Sequence, residues 1–154
     1  MDAGTAAALV GVFAIFNGIG RPIFGTMADK LSPKNAAILS FGLIFVASIL
    51  LLLGSSPGAL AVYVIGFSIL WLCLGGWLAI APTSTATFFG TKHYGPNYGA
   101  VFTAYGIGAI TGSLMAGNLR DLMGSYTAVF MPVAILALIC VFIAFVMMRK
   151  PSSS

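Results

Sequence analysis

No charged side chain stands between Lys34 and Lys92. A soluble fold cannot cover its surface over such a stretch, because an ordinary soluble domain is about a quarter charged. The whole chain is 60% hydrophobic and 6% charged. It therefore reads as an all-α, polytopic membrane helix bundle. Its nineteen glycines and seven prolines fit that reading, since neighbouring membrane helices re-satisfy the backbone groups such residues free.

Charges and turn residues divide the chain into lengths of about 20 residues, the span of one membrane helix. The first span runs from about 5 to 27 and is interrupted only by Arg21; Asp29-Lys30-Leu31-Ser32-Pro33-Lys34 ends it. The breaker Gly54-Ser55-Ser56-Pro57-Gly58 separates a second span, about 35–53, from a third, about 60–82. Thr83 to Gly90 can continue the third helix past a kink at Pro82. Thr91 to Asn97 reads as a loop. Spans four and five follow at about 98–117 and 126–148. Arg149-Lys150 and the polar tail 151–154 close the sequence. Lys30, Lys34, Lys92, Arg149 and Lys150 fall on one side, and Arg120 is the only cation in the opposite loops. The positive-inside rule then puts the C-terminus in the cytoplasm and the N-terminus outside, in a multi-pass cell-membrane protein.

The spans differ in kind. Spans two and five are nearly plain aliphatic and suit contact with lipid. Spans one, three and four carry glycines and polar groups. Ala104, Gly108, Gly112 and Ala116 form one stripe on span four, and Gly11, Ala14 and Gly18 form a similar face on span one. Small residues at this spacing let helices approach closely. Tight packing alone explains any single glycine; the contrast between spans favours inner and outer helices around a pathway.

Arg21 is the most informative residue. A charge at membrane depth costs roughly 2.5–3.5 kcal/mol on insertion scales. Such a residue faces an aqueous cavity or a partner, and no acidic residue lies within the five spans. Its planar fork suits an anionic substrate; snorkelling to the cytoplasmic interface or pairing with a missing segment is the alternative. Tyr105, Trp71 and Trp77 are further substrate-binding candidates, each offering an aromatic wall and a donor. Packing is the stronger reading for Trp71, and the two readings balance for Tyr105. His93 sits in a loop. Cys73 and Cys140 lie in apolar runs and imply neither a disulfide framework nor a metal site. No cluster of basic residues interleaved with aromatics is present, which argues against nucleic acid as a partner. HExxH, P-loop, CxxC and GxSxG patterns are absent, so the reading includes no enzyme, no catalytic residue, no metal and no cofactor.

Gly25-Thr26-Met27-Ala28-Asp29-Lys30-Leu31-Ser32-Pro33-Lys34 resembles the GxxxD(R/K)xGRK loop signature of the major facilitator superfamily, with Ser32-Pro33 in place of the usual Gly-Arg. Phe16-Asn17-Gly18-Ile19-Gly20-Arg21-Pro22 resembles the eighth helix of its oxalate/formate antiporter family. Phe89-Gly90-Thr91-Lys92, Asn97-Tyr98-Gly99 and Thr103-Ala104-Tyr105-Gly106 resemble that family's tenth-to-eleventh helix region. The resemblance implies that the five spans are helices eight to twelve of a twelve-helix fold, a partial C-terminal half whose N-terminal half is missing. It implies a secondary transporter of a small organic anion in which Arg21 contacts the substrate carboxylate. It also implies a cytoplasmic gate motif of Gly25, Asp29, Lys30 and Lys34. In the oxalate transporter a lysine stands where Tyr105 stands here. One cation instead of two favours a monocarboxylate over oxalate. The rival reading is a small non-transporting membrane protein that assembles with another bundle.

Overall fold

A computed structural model of the chain describes residues 2–54 and 60–148. It contains five long helices: α1 (Ala3–Lys30), α2 (Pro33–Leu53), α3 (Leu60–Phe89), α4 (Tyr94–Met123) and α5 (Phe130–Met147), with a 3-10 turn, Tyr126–Val129, before the last. Each membrane-length segment is long and apolar enough to cross a bilayer. Residues 55–58 of the breaker, Arg149, Lys150 and the tail lie outside the described residues.

Local chemistry sets the helix ends. Asp2 caps α1: its Oδ1 accepts from the Thr5 N–H at 2.6 Å. That bond holds the Asp2 carboxyl below its ordinary value. Ser32 caps α2, with its Oγ accepting from the Asn35 N–H at 3.2 Å. Pro33 occupies the first turn, where its missing N–H is not needed. Gly124 ends α4 in a left-handed conformation (φ 68°), its N–H donating to the Arg120 carbonyl at 2.8 Å.

The helices outrun the apolar runs. α1 continues through Asp29 and Lys30, α3 passes Pro82 to Phe89, and α4 absorbs Tyr94–Asn97 and Asn118–Met123. The loop expected over Thr91–Asn97 shrinks to Gly90–His93 because Pro96 falls in the first turn of α4, where a proline removes no helical bond.

α1 and α3 form the tightest seam. A Cβ on Gly20 would meet the Leu72 carbonyl oxygen and lie 3.0 Å from the Gly76 nitrogen; one on Gly75 would meet the Asn17 carbonyl oxygen. One on Gly76 would strike the Phe24 ring. The small residues that matter on α1 therefore include Gly20. Gly11 and Gly18, from the expected stripe, face open space.

α2 is central rather than lipid-facing on most sides: it packs on α1, α3 and α5. It buries Ala36, Ala37, Ser40, Ala47, Ser48 and Leu51. Its small residues admit Ala134, Ala137 and Ala144 of α5. α5 exposes most of its aliphatic surface, as expected. α4 reverses the expectation of an inner helix. It buries no residue, and it packs only on α3 and the 3-10 turn among the described residues. Gly108 and Gly112 of its stripe have nothing within 4 Å.

Candidate functional site

α3 positions the candidate residues from two sides. Toward α1 it presents Gly75, Gly76 and Ala79. Toward α4 it presents Trp77, Leu78 and Ala81. Both sets fall within two turns, so α1 and α4 flank the same stretch of α3.

On the α1 side, Asn17, Arg21 and Gly25 form one row at helical spacing. The Asn17 carbonyl faces Gly75, and Gly25 lies opposite Ala79, where an added Cβ would sit 3.5 Å from the Ala79 Cβ. Asn17 Nδ2 also donates to the Trp71 carbonyl at 3.4 Å. Arg21, between them, borders this seam and is exposed. No carboxylate pairs with it: Arg120–Asp121, at 3.8 Å, is the one ion pair among the described residues. Gly20 holds α1 against α3 beside it, and Pro22 follows. Proline inside a helix leaves the carbonyl four residues earlier, here that of Gly18, without its helical donor.

On the α4 side, Trp77, Leu78 and Ala81 face Tyr98, Val101, Phe102, Ala104 and Tyr105 across a cavity of about 260 Å³. Trp77 is backed by Phe41 of α2, ring centroids 4.8 Å apart. Tyr105 is half exposed. The structure thus brings Trp77 and Tyr105 together, while Arg21 flanks the other side of α3. Trp71 lies apart from both: its ring stacks on Phe13 at 6.4 Å, and its carbonyl is taken by Asn17. Those contacts fit the packing reading.

Asp29, Lys30 and Lys34 line a recess of about 540 Å³ with Thr83, Thr87 and Met148. The α1–α2 turn and the C-terminal ends of α3 and α5 therefore meet at one end of the bundle. Lys34 Nζ donates to the Phe145 carbonyl at 2.8 Å and sits 4.7 Å from the Phe145 ring centre. A cation at a helix C-terminus is favourable by about 0.3–1 kcal/mol. Gly25 lies deeper, in the α1–α3 seam. At the opposite end, Arg120 stacks over Tyr126 at 5.3 Å. Among the described residues no group of three His, Cys, Asp or Glu side chains could hold a metal.

Three features emerge only from the fold: Asn17, the Gly75-Gly76 pair, and the aromatic run on α4. The last has a readable signal, since Tyr94, Tyr98 and Phe102 recur every fourth residue and Tyr105 follows at three.

The family model described as Major Facilitator Superfamily matches residues 1–154. The chain is 31% identical over 122 residues to monocarboxylate transporter 14 of Homo sapiens, covering 77% of the chain and 23% of that protein. It is 28% identical over 128 residues to the oxalate:formate antiporter of Oxalobacter formigenes, covering 83% and 30%. It is 30% identical over 112 residues to solute carrier family 67 member A1 of Homo sapiens, covering 73% and 26%. The chain thus spans less than a third of the length of these relatives. No solved structure matches it.

Proposed function

Because the chain belongs to the major facilitator superfamily, we propose that it supplies five helices of the C-terminal half of a secondary active transporter for a small organic anion. A monocarboxylate is the substrate, and alternating access against an N-terminal half moves it. That half is the partner, on the same chain or a separate one. The basic ends of α1, α3 and α5 face the cytoplasm, and the N-terminus lies outside. The protein is not an enzyme.

The observation that carries this reading is Arg21: a guanidinium within a membrane span with no carboxylate partner among the described residues, on a helix held to α3 by Gly20 and running on through Pro22. A carboxylate bound through two parallel hydrogen bonds offsets the cost of leaving that charge unpaired. Trp77 and Tyr105 border the pathway on the other flank of α3; Trp71 is the weakest of the four substrate-binding candidates, being taken up in packing. Asp29, Lys30 and Lys34 form the cytoplasmic gate, with Gly25 one turn before Asp29 on α1, opposite Ala79.

The test is carboxylate-induced thermal stabilisation of the complete transporter. Arg21→Lys keeps the charge without the fork and should weaken binding; Arg21→Ala should nearly abolish it. If Arg21→Ala is stabilised by every carboxylate as strongly as the parent, Arg21 is a snorkelling residue and the reading fails.

A further inference from the structure

We infer that the recess around Arg120, at the end of the bundle opposite Lys30 and Lys34, binds a phosphate ester through Arg120, Tyr63, Tyr126 and Thr127, beside the rings of Phe67 and Phe130. This site is separate from Arg21 and does not depend on the carboxylate reading.

The recess has a volume of about 530 Å³, inside the range of about 300–1,000 Å³ usual for small-ligand sites. α3 supplies Tyr63 and Phe67, and the last turn of α4 supplies Arg120. The 3-10 turn and the first residue of α5 supply Tyr126, Thr127 and Phe130. Phe67 and Phe130 meet edge to face, centroids 5.9 Å apart, and make the apolar part of the wall. The polar part consists of donors. Ser125 Oγ donates to Thr127 Oγ1 at 3.0 Å and accepts from the Thr127 N–H at 3.1 Å. Thr127 Oγ1 thus serves as an acceptor, and its own proton is left to donate. No hydrogen bond among the described residues occupies the Tyr63 or Tyr126 hydroxyl or the Arg120 guanidinium. The wall holds no carboxylate: Asp121, 3.8 Å from Arg120, lies beyond hydrogen-bond distance and outside the lining. A phosphate accepts from several donors at once, and the guanidinium fork matches two of its oxygens.

Arg120 is ordered before any ligand arrives. Its Cζ lies 5.3 Å from the Tyr126 ring centre. Stacking of this kind leaves the N–H edge of the guanidinium free and reduces the side-chain freedom lost on binding. A cation in the last turn of α4 also suits the negative end of that helix. That accounts for the charge, but not for the ring that holds it or for three hydroxyl donors beside it. The position adds a reason for an occupant. α4 buries no residue and packs only on α3 and the 3-10 turn among the described residues. A ligand in the recess touches all three and ties α4 to both its supports. Donors next to two phenyl rings, at the end of membrane-length helices, suit a phospholipid headgroup; a free phosphate ester is the other source of the same chemistry.

Amide exchange over residues 118–130 of the full chain in detergent micelles is titrated with four probes: phosphatidylglycerol, phosphatidylcholine, glycerol phosphate and acetate. One cation beside an anionic headgroup is worth about fivefold in affinity. Phosphatidylglycerol should therefore slow exchange there with an apparent affinity about fivefold tighter than zwitterionic phosphatidylcholine. Arg120→Gln should remove that preference. Tyr126→Phe, which keeps the ring and loses one donor, should weaken phosphatidylglycerol by about threefold. Both side chains are exposed, and circular dichroism melts in phosphatidylcholine check that the variants fold like the parent. Arg120-dependent protection by glycerol phosphate as well would support the site and show that it takes soluble esters; protection by phosphatidylglycerol and not by glycerol phosphate would support it as a lipid site. Acetate protecting as strongly as glycerol phosphate would overturn the phosphate assignment. Phosphatidylglycerol protection that survives Arg120→Gln unchanged, that appears only at the Lys30–Lys34 end, or that is absent would overturn the site itself.

Discussion

Replacing Gly20 by alanine sets two magnitudes against each other. In a helix interior alanine is favoured over glycine by about 0.8–1.0 kcal/mol, so propensity alone predicts stabilisation. The seam predicts the opposite. The new methyl would meet the Leu72 carbonyl oxygen and approach the Gly76 nitrogen to 3.0 Å. Both are backbone atoms of α3, so no side-chain rotation relieves the contact. α1 and α3 must separate, and the whole seam loses contact: the Asn17 amide to the Trp71 carbonyl, Phe24 against Gly76, and Phe13 against Trp71. Overpacking typically costs about 1–3 kcal/mol, and more where backbone is the obstacle. The expected net effect is a destabilisation of up to about 2 kcal/mol after the propensity gain is subtracted, and of about 1–3 kcal/mol relative to a glycine-to-alanine change that meets nothing. Gly18→Ala is the internal control: it lies on the same helix, two residues away, with nothing within 4 Å of its added Cβ. It should be neutral or slightly stabilising. Reversible unfolding in mixed micelles, followed by circular dichroism, compares the two. If Gly20→Ala is as stable as Gly18→Ala, close α1–α3 packing is not what holds this bundle, and the placement of Arg21 beside α3 loses its basis.

Further outcomes can be checked separately. Ser32 has φ 149° and ψ 155°, a region used almost only by glycine and costing about 1–3 kcal/mol. Losing its cap to glycine costs only a few tenths of a kcal/mol, so Ser32→Gly should raise stability in the same micelle assay; a loss would refute the strain. Lys34→Met removes the bond to the Phe145 carbonyl and the contact with its ring. It should cost about 1 kcal/mol and speed amide exchange in the last turn of α5; unchanged exchange there would show that this contact holds nothing. Asp2, whose carboxyl is held down by the Thr5 N–H, stabilises the first turn above its ordinary titration range. That contribution is lost as pH falls through its lowered value, so the Thr5 amide resonance should titrate below a free aspartate; titration at the ordinary value would break the cap. Asp29→Asn in the complete transporter should shift the inward/outward balance more than substrate affinity. Abolished binding with unchanged populations would contradict a gating role.

The five spans were legible because a membrane helix is a count of apolar residues between charges, and the Lys34–Lys92 interval admits only one break. The helix ends were less so. Hydropathy stops where the apolar run stops, but the backbone ladder stops where a cap takes over. Leu31, whose N–H donates to the Met27 carbonyl, and Gly124 close α1 and α4 several residues beyond Met27 and Gly117. The packing partners were the least legible. Glycines at a spacing of four state that a close approach is possible, not which helix makes it. α3 meets α1 through Gly75, opposite Asn17, and Gly76, opposite Gly20 and Phe24, residues adjacent in sequence rather than a row at period four. The Ala104–Ala116 stripe has the better pattern, yet its Gly108 and Gly112 face open space. Arg21 stood out in the sequence because charge is scarce here. The cavity on the opposite flank of α3 did not, because it exists only when Trp77 of α3 and Tyr98, Phe102 and Tyr105 of α4 are brought together by the fold.

Arg21, as proposed, anchors a carboxylate in a transport pathway. The most direct test is counterflow of radiolabelled monocarboxylate in proteoliposomes holding the complete transporter, parent and Arg21→Ala side by side at matched reconstitution. Saturable counterflow is expected for the parent, inhibited by other monocarboxylates, and none above empty liposomes for Arg21→Ala despite an unchanged melting profile. Equal counterflow by the two proteins would contradict it.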